Sequence, residues 1–468
     1  MAFTQDGRWL VSASIDGSVR LWDLSAGSAT VLLATISGSD DWVTVTTDGL
    51  FDGSTDGTQK LVAWRIGNTL YPADRFYASN YTPRLLGRVL VGEKLASELK
   101  LDALRLPPVV RISNPPVGGK SKSGQAQVVV EATDQGGGVA EVRLFQNGKL
   151  IAKAPGDSGG SYRFDVDLVA GENVLKASAL SQERVEANDD QVRVTNDADT
   201  ADPVPARSAL HLLVTGVSQY EDSALDLDYA RPDAESIAEF FRQNKLFSSV
   251  HSYKLYDQGA SKIAIQEALE KLVERAQAND VVIIYFAGHG VGVSEQFYFL
   301  PHDMRLEDDD VAAIRKYGIP ASALADALMR VKALKQVLIL DTCESEGALP
   351  LLAKSMMYRS RGVSVAEEKA VKMLARAYGV YLIAASARQQ DAYEVPELGH
   401  GILTYALLRG LGENGEPQAP MLTPGIVTVG SLIEYVYAQV PELTEKYRHQ
   451  KQYVVTSTTG TNFPLWSN

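Results

Sequence analysis

Two short apolar runs in the second half of the chain dominate its hydrophobic pattern. They span residues 281–286 and 337–340, and both are rich in aliphatic side chains. Runs of this length are typical of strands that are buried on both faces of a parallel sheet. Residues 265–276 have apolar side chains at helical spacing and predict a helix before the first run. Strands that alternate with helices in this way predict an α/β domain, residues 209–468, with a mainly parallel sheet flanked by helices.

The first seventy residues alternate polar and apolar positions in short segments with Asp-Gly turns between them, which predicts antiparallel strands. Residues 3–27, with Trp22 and Asp23 near their end, resemble one blade of a WD-repeat propeller. One blade cannot bury its faces without neighbours. We therefore expect residues 1–70 to be a partial WD-repeat-like β segment of a longer natural protein. Packing of the blade on the residues that follow is the alternative.

All-β modules are predicted to continue after a helical connector. Residues 71–106 form that connector, because apolar residues near its centre lie at helical spacing. In residues 107–196 polar and apolar positions alternate with a period of two, most clearly at 162–168, which predicts the strands of an Ig-like β-sandwich. The acidic, proline-containing residues 197–208 predict an exposed linker to the α/β domain. We expect the sandwich to space or present other domains.

Composition narrows the classes of partner and compartment. The 468 residues include 45% hydrophobic and 22% charged side chains, with a formal net charge of −13. A negative chain disfavours nucleic acid and anionic membranes as partners. No apolar run approaches the roughly 20 residues that span a bilayer, and the first residues do not resemble a signal peptide. A single cysteine fits a reducing compartment, so we expect a cytoplasmic protein of bacterial type.

Each of the two apolar runs ends at a reactive side chain. The first leads into Gly-His-Gly with His289 at its centre, and the second leads into Asp-Thr-Cys with Cys343 at its end. Because the carboxyl ends of parallel strands meet at one edge of a sheet, we expect these two side chains to lie close together. Cys343 is the only cysteine and cannot form an intramolecular disulfide. A buried core thiol is the alternative, but the position after the apolar run, beside acidic residues, disfavours it.

These motifs resemble those of the caspase and metacaspase superfamily of cysteine peptidases, most closely its bacterial members. The resemblance covers a little over half of the chain and includes residues 285–290, 340–345, 384–387 and 401–408. A lone cysteine with a histidine about 50 residues upstream is the caspase spacing. The resemblance implies a catalytic dyad of Cys343 as nucleophile and His289 as proton carrier. It also implies an oxyanion hole formed by the backbone N–H groups of Gly290 and Cys343.

The resemblance further implies an acidic pocket for the residue before the cut. Asp341 and Asp233 match acidic pocket positions of the metacaspases, and Ser386 follows the next strand at the rim. Two carboxylates predict cleavage of a protein or peptide after Arg or Lys, with Arg favoured for its bidentate geometry. Ala230 and Ala287 replace a cysteine and a serine of the metacaspase pattern, which leaves the ratio of Arg to Lys open. For Asp233, stabilisation of a helix amino terminus is an equal alternative.

Regulation is expected from the segment after the nucleophile. Residues 353–364 occupy the position of the caspase intersubunit linker, and they contain Lys354, Arg359 and Arg361 as candidate processing sites. We expect maturation by cleavage there, by the enzyme itself or by an upstream protease, with restraint by the amino-terminal modules until an activating protein partner binds. We expect no metal or cofactor; the acidic residues 307–310 are a possible calcium site, because some metacaspases depend on calcium.

Three functions remain open from the sequence. The first is the endopeptidase described above. The second is a catalytically silent interaction scaffold built from the WD-repeat-like and Ig-like modules, which the intact His289 and Cys343 disfavour. The third is a hydrolase of a small acyl or amide substrate. His400, also in a Gly-His-Gly sequence, is predicted to lie in a loop or at a helix start, because no apolar strand leads into it.

Overall fold

The structure is a computed structural model, and it divides the chain into two compact units. The first unit comprises Met1–Phe145 and Ala152–Ala198, and the second comprises Gln146–Ile151 and Asp199–Asn468. The structure describes all residues except 26–27, 40, 98, 100–103, 158, 198–207, 294–295, 306–309, 344–362, 386–393, 396, 414, 422, 450, 458–459 and 468. The backbone alone is described for residues 28–29, 310, 343, 363–367 and 394–395.

The first unit begins with an antiparallel meander in which each of six strands pairs with the next along the chain. The strands are β1 (Ala2–Phe3), β2 (Trp9–Ala13), β3 (Ser18–Asp23), β4 (Ser28–Thr35), β5 (Trp42–Thr46) and β6 (Phe51–Gly53). Gly17 and Gly49 have φ angles of 80° and 84° in the turns before β3 and β6, a conformation that favours glycine. A propeller blade has four strands, whereas this meander has six, and the WD-repeat interpretation stays a prediction.

An aromatic core follows the meander. The elements there are α1 (Thr55–Lys60), β7 (Ala63–Ile66), β8 (Thr69–Pro72), the 3-10 helix Ala73–Phe76, α2 (Tyr77–Asn80) and α3 (Leu85–Leu90). Phe51 is fully buried and its ring contacts those of Trp64, Tyr77 and Tyr81 at centroid distances of 5.8–6.0 Å. Aromatic rings bury a large apolar area, and packing against them stabilises helices that are too short to be stable alone.

Two sheets make the next module a β-sandwich. Its strands are β9 (Leu106–Asn114), β10 (Gly119–Ser121), β11 (Gln125–Gln135), β12 (Glu141–Gln146), β13 (Lys149–Pro155), β14 (Gly159–Asp167), β15 (Gly171–Leu180) and β16 (Asp190–Asn196). One sheet has the order β10-β16-β15-β12-β13, and the other has the order β14-β11-β9. Strand β9 packs on β15 and β16, and alternate residues such as Val128 and Val130 are buried. The predicted sandwich is confirmed.

An eight-stranded sheet forms the centre of the second unit. Its strands are β17 (Leu210–Gly216), β18 (Val250–Tyr256), β19 (Val281–Val293), β20 (Gln296–Phe299), β21 (Ile319–Pro320), β22 (Lys335–Cys343), β23 (Tyr381–Ala385) and β27 (Val454–Ser457). The main path is β18-β17-β19-β22-β23-β27, in which all neighbours are parallel except the last pair. Two short pairs lie outside it, β24 (Glu394–Val395) with β25 (His400–Gly401), and β26 (Ile426–Thr428) with β28 (Pro464–Ser467).

Helices cover both faces of this sheet. They are α4 (Ala230–Arg242), α5 (Lys262–Arg275), α6 (Asp310–Tyr317), α7 (Ala321–Arg330), α8 (Val363–Tyr378), α9 (Ile402–Leu411) and α10 (Val429–Arg448), with 3-10 turns at Ser223–Leu225 and Asp257–Gly259. Alternate residues of β19 pack on opposite faces of the sheet. Val282, Ile284 and Phe286 join the core under α5, α7 and α8, whereas Ile283 and Tyr285 join the core under α4, α9 and α10. The predicted mainly parallel sheet flanked by helices is confirmed.

Within the part of the chain that the structure describes, none of the helices combines the length and the apolar character needed to cross a membrane.

Candidate functional site

The register of two central strands brings the predicted dyad to one edge of the sheet. In the parallel pair β19–β22, Ala287 lies opposite Asp341 and His289 lies opposite Cys343. Neighbouring strands are separated by about 4.8 Å, so the two backbones approach closely at this point. Cys343 is the last residue of β22, and its side chain lies outside the described atoms.

Two glycines make room for the turn at His289. Gly288 has a φ of 149°, and a Cβ there would lie 2.9 Å from the hydroxyl oxygen of Tyr220. A Cβ on Gly290 would lie 2.6 Å from the ring of Phe297 and 2.8 Å from Oγ1 of Thr342. Such distances exclude any side chain at either position without displacement of its neighbours. The Gly-His-Gly sequence is thus required by close packing of this strand end.

The imidazole of His289 is held from two directions. The side chain is buried, with 3% of the residue exposed. The ring Nε2 lies 2.8 Å from the carbonyl oxygen of Leu225, and the backbone N–H donates to the hydroxyl oxygen of Tyr220 at 2.8 Å. The rings of Tyr220 and His289 lie 5.1 Å apart. A carbonyl acceptor at Nε2 keeps a proton on that nitrogen and assigns proton exchange with a substrate to Nδ1.

The loop that carries Tyr220 and Leu225 is fixed by its own acidic residues. The Asp222 carboxylate accepts the Ala224 N–H and begins the 3-10 turn that ends at Leu225. The Asp226 carboxylate accepts the Tyr220 N–H at 2.8 Å. Short Asp side chains that bind nearby backbone N–H groups stabilise turns of this kind. The carbonyl that orients His289 therefore belongs to a rigid loop.

Asp341 is buried beneath this edge. Its Oδ2 accepts the hydroxyl of Thr404 at 2.6 Å and the hydroxyl of Tyr285 at 3.1 Å. The two hydroxyl oxygens lie 2.6 Å apart, so the three groups form one network. Burial raises the pKa of Asp341, and the two hydroxyl bonds oppose that rise. Tyr285 comes from β19 and Thr404 from α9, which places Asp341 between the sheet and the helix above it.

Asp233 reaches the same region from the first turn of α4. Its Oδ1 lies 2.7 Å from Nδ1 of His400, and its Oδ2 accepts the Gly401 N–H at 3.0 Å. Burial raises the pKa of Asp233 to about 7, and the charge of Asp341 acts in the same direction. The hydrogen bond with Asp233 raises the pKa of His400. Asp233 lies in the first turn of α4, where a carboxylate stabilises the helix dipole. Its two oxygens nevertheless bind His400 and Gly401.

Gly401 packs closely against Asp233 and lies near Asp341. A Cβ on this residue would lie 2.9 Å from Oδ2 of Asp233 and 3.7 Å from Oδ2 of Asp341. Two buried carboxylates near each other favour a cation beside them, because uncompensated charge is costly away from water. His400 lies at hydrogen-bond distance from one of them, Asp233.

Two family models match parts of the chain. A family model described as a caspase domain matches residues 210–463. The chain belongs to the caspase-domain family. This membership makes a cysteine peptidase the general class of the second unit. A second model, described as a bacterial Ig domain, matches residues 108–177. No curated protein matches the sequence.

Solved structures with local similarity have low overall scores. A Geobacter sulfurreducens protein has 15% identity and a TM-score of 0.36, and the match covers 54% of this chain and 94% of that one. A fibronectin(III)-like module of Clostridium thermocellum CbhA has 12% identity and a TM-score of 0.16, with 19% and 98% covered. The PKD domain of an M14-like peptidase from a Thermoplasmatales archaeon has 18% identity and a TM-score of 0.17, with 20% and 98% covered.

Several predicted residues of the caspase domain lie outside the described residues. They are Ser386 of the pocket rim and the candidate processing sites Lys354, Arg359 and Arg361. The acidic residues 307–309 also lie outside, and only the backbone of Asp310 is described, at the start of α6. Among the residues that are described, no group of three His, Cys, Asp or Glu side chains is arranged to hold a metal ion.

Sequence reasoning missed three partners of the caspase site. The Leu225 carbonyl has no sequence signal, because every residue has one. Tyr285 and Thr404 lie within the motifs that carry the family resemblance, but their contacts with Asp341 span 56 and 63 positions. His400 had a local signal in its Gly-His-Gly sequence. It lies in the short strand directly before α9 and contacts Asp233.

Proposed function

We propose that the chain is a cysteine endopeptidase that cleaves polypeptides after Arg or Lys by a dyad of Cys343 and His289. The observation that carries this proposal is the parallel register in which His289 lies opposite Cys343 at the carboxyl edge of the sheet. Open α/β sheets bind their ligands at this edge. Family membership supports a cysteine peptidase, and the dyad and the basic preference are our extension of it.

The proposed reaction begins with the thiolate of Cys343, which forms near neutral pH beside an imidazolium. The sulfur attacks the peptide carbonyl, and backbone N–H groups at Gly290 and Cys343 stabilise the oxyanion. His289 then protonates the leaving amine through Nδ1. The Leu225 carbonyl at Nε2 supports this step, because it holds the ring in place and leaves Nδ1 for the proton transfer. Water resolves the thioester and restores the thiol.

Asp341 and Asp233 form the proposed pocket for the basic side chain. Both are buried, with 6% and 3% of each residue exposed, and both lie near Gly401. Two carboxylates with one imidazole nearby leave one negative charge without a counter-charge when all three groups are ionised. A Lys or Arg side chain would supply that counter-charge. Burial raises the pKa of both carboxyl groups, and a nearby cation would oppose that rise.

Regulation is proposed from the sequence. The linker 353–364 would be cut during maturation at Lys354, Arg359 or Arg361, since it offers the residue type that the pocket should accept. The all-β first unit, with its predicted WD-repeat-like segment and its Ig-like module, would restrain the peptidase until an activating protein binds. If mass spectrometry of active enzyme showed the linker intact in every molecule, self-maturation would be wrong.

A panel of fluorogenic peptides that differ only at the residue before the cut tests the reaction. The panel is run on wild type and on Cys343→Ala. We expect activity on Arg and Lys peptides in wild type and none in the variant. A preference for Asp would overturn the pocket assignment. Absence of activity on every peptide, with the linker cut, would favour the interaction scaffold.

A further inference from the structure

We propose that Asp257 is a positioning residue, which fixes the loop of residues 218–227 and through that loop holds the imidazole of His289 in place. Asp257 lies outside the sequence motifs that carry the family resemblance. This role rests on the proposed function, because it concerns the proton carrier of the same dyad. It does not involve the substrate pocket.

The loop of residues 218–227 supplies two groups that hold His289. The hydroxyl oxygen of Tyr220 accepts the backbone N–H of His289 at 2.8 Å, and the carbonyl oxygen of Leu225 lies 2.8 Å from its Nε2. The ring of Tyr220 also lies 5.1 Å from the imidazole. A shift of the loop would therefore move the imidazole, although the strand that carries it stays in place.

The carboxylate of Asp257 binds the start of this loop. Asp257 is buried and follows the last residue of β18. Its Oδ1 accepts the backbone N–H groups of Ser218 and Gln219, both at 2.9 Å. Its Oδ2 accepts the guanidinium of Arg231 at 3.0 Å. One carboxylate thus orients two successive peptide groups directly before Tyr220.

The backbone of Asp257 has an uncommon conformation at this point. Its φ is 43°, in the left-handed region that few residues other than Gly, Asn and Asp adopt. Asp257 begins the 3-10 turn Asp257–Gly259, and its carbonyl oxygen accepts the Ala260 N–H at 2.7 Å. Such a conformation persists only where the surrounding contacts hold it. The turn after β18 therefore directs the carboxylate toward the loop.

A second residue, His302, holds the loop on both sides of Tyr220. Its Nδ1 lies 2.6 Å from the carbonyl oxygen of Gln219, and its own carbonyl oxygen accepts the Glu221 N–H at 2.9 Å. The backbone N–H of His302 donates to the carbonyl oxygen of Ala260 at 3.0 Å, so His302 is joined to the turn after β18. This turn thus contacts the loop by two routes, and the Asp257 carboxylate is the direct one.

Two substitutions of Asp257 separate its hydrogen bonds from its charge. Asp257→Gly removes the carboxylate and adopts the left-handed φ without strain. Asp257→Asn is the conservative variant, because an amide oxygen can accept the same two N–H groups and Asn tolerates this φ. It loses only the charge that faces Arg231.

Asp280→Ala is the matched control at the opposite edge of the sheet. Asp280 is also buried, and its carboxylate accepts the backbone N–H groups of Ala209 and Gln277, both at 2.8 Å. It lies directly before β19, at the amino end of the strand that carries His289 near its carboxyl end. The control removes the same kind of contact without touching the loop.

The experiment measures the rate of alkylation of Cys343 by iodoacetamide as a function of pH, in the full chain. Cys343 is the only cysteine, and a thiolate paired with an imidazolium reacts with a midpoint below about 7.5, against about 8.5 for a free thiol. We expect the low midpoint in wild type and a rise of about one pH unit in Asp257→Gly. In the same variant kcat on Lys and Arg peptides should fall by about 10- to 100-fold, the effect of a misplaced proton carrier.

The other variants should keep the wild-type midpoint. Asp257→Asn should also keep kcat within about threefold of wild type. Asp280→Ala should lower the melting temperature and leave the alkylation profile unchanged, because a loss of stability alone does not move the imidazole.

Three results would overturn this role for Asp257. They are an unchanged midpoint in folded Asp257→Gly, an equal rise in Asp280→Ala, and a raised midpoint in Asp257→Asn, which tests the role even where the glycine variant does not fold. A wild-type midpoint near about 8.5 would instead contradict the proposed dyad itself. The failure of the positioning role and the failure of the proposed function are therefore distinguishable.

Discussion

Substitution of Gly401 by alanine tests whether the position of the Asp233 carboxylate matters for the substrate. The backbone tolerates the change, since φ at Gly401 is −60°. The added methyl group would lie 2.9 Å from Oδ2 of Asp233 and 3.7 Å from Oδ2 of Asp341. Relief of the shorter contact moves the Asp233 carboxylate by about 0.5 Å, which displaces it from the side chain that the pocket would bind. The variant should fold normally and lose its pocket.

The expected loss is one charge-assisted contact to a buried carboxylate. Such contacts contribute about 1.5–3 kcal/mol. At about 1.4 kcal/mol per factor of ten, kcat/KM on Lys and Arg peptides should fall by about 10- to 100-fold. The fall should appear in KM and kcat together, because a displaced side chain also misplaces the scissile carbonyl.

The assay is steady-state hydrolysis of fluorogenic peptides, with Gly259→Ala as the matched control because nothing lies within 4 Å of a Cβ at that position. Alkylation of Cys343 by iodoacetamide serves as a second readout, since it is the only cysteine and a small reagent does not need the pocket. The alkylation rate should be unchanged in Gly401→Ala. Wild-type kcat/KM in a folded Gly401→Ala enzyme would refute the assignment of Asp233 to the substrate pocket.

Three further predictions concern charge and orientation around the site. Asp341→Asn removes a buried charge with little change of shape, so kcat/KM on Lys peptides should fall by about 100-fold or more, measured against the iodoacetamide rate as control. The folded-state pKa of Asp233 is about 7 against a usual 3.8, and that of His400 is also raised, so both groups favour the folded state most when they are protonated. The melting temperature of the free enzyme should therefore fall as the pH rises from about 4 to about 7, between the usual pKa of Asp233 and its folded-state pKa. Over the same range kcat/KM on Lys peptides should rise as Asp233 ionises. Asp233→Asn should flatten the Asp233 contribution to both profiles, and a melting temperature that rises with pH over this range would contradict the prediction. Tyr220→Phe leaves the buried His289 N–H without its acceptor and should lower the free energy of unfolding, measured in urea, by about 1–3 kcal/mol. Tyr253→Phe should be close to neutral, because the Tyr253 hydroxyl has no hydrogen-bond partner among the described residues. Equal effects of the two substitutions would argue against a role for Tyr220.

In the second unit, the spacing of apolar residues was enough to predict the central strands of the sheet. Residues 281–286 are buried on both faces, and their alternation between the two cores follows from the two-residue period of a strand. The same period puts Asp341 on the face of Val337 and Ile339, under α4 and α9. The local pattern could thus predict that Asp341 lies on a strand and that it is near the carboxyl edge of the sheet.

Contacts between distant elements could not be predicted in this way. His400 and Asp233 are separated by 167 positions, and no local rule pairs them. The Leu225 carbonyl is a backbone group whose position depends on how the loop after β17 closes. In the first unit, the alternation of polar and apolar residues and the Asp-Gly turns predicted strands. The number of strands in one sheet depends on how the strands pair, and six strands pair in this sheet, whereas a propeller blade has four.

Covalent labelling by tosyl-lysyl chloromethyl ketone tests the central claim most directly, because the reagent needs a basic pocket, a thiolate and an imidazole at once. The account predicts a stoichiometric adduct on Cys343, identified by peptide mass spectrometry, with the labelling rate reduced at least about tenfold in His289→Ala and in Asp341→Asn. No adduct on Cys343, or equal rates in wild type and both variants, would contradict it.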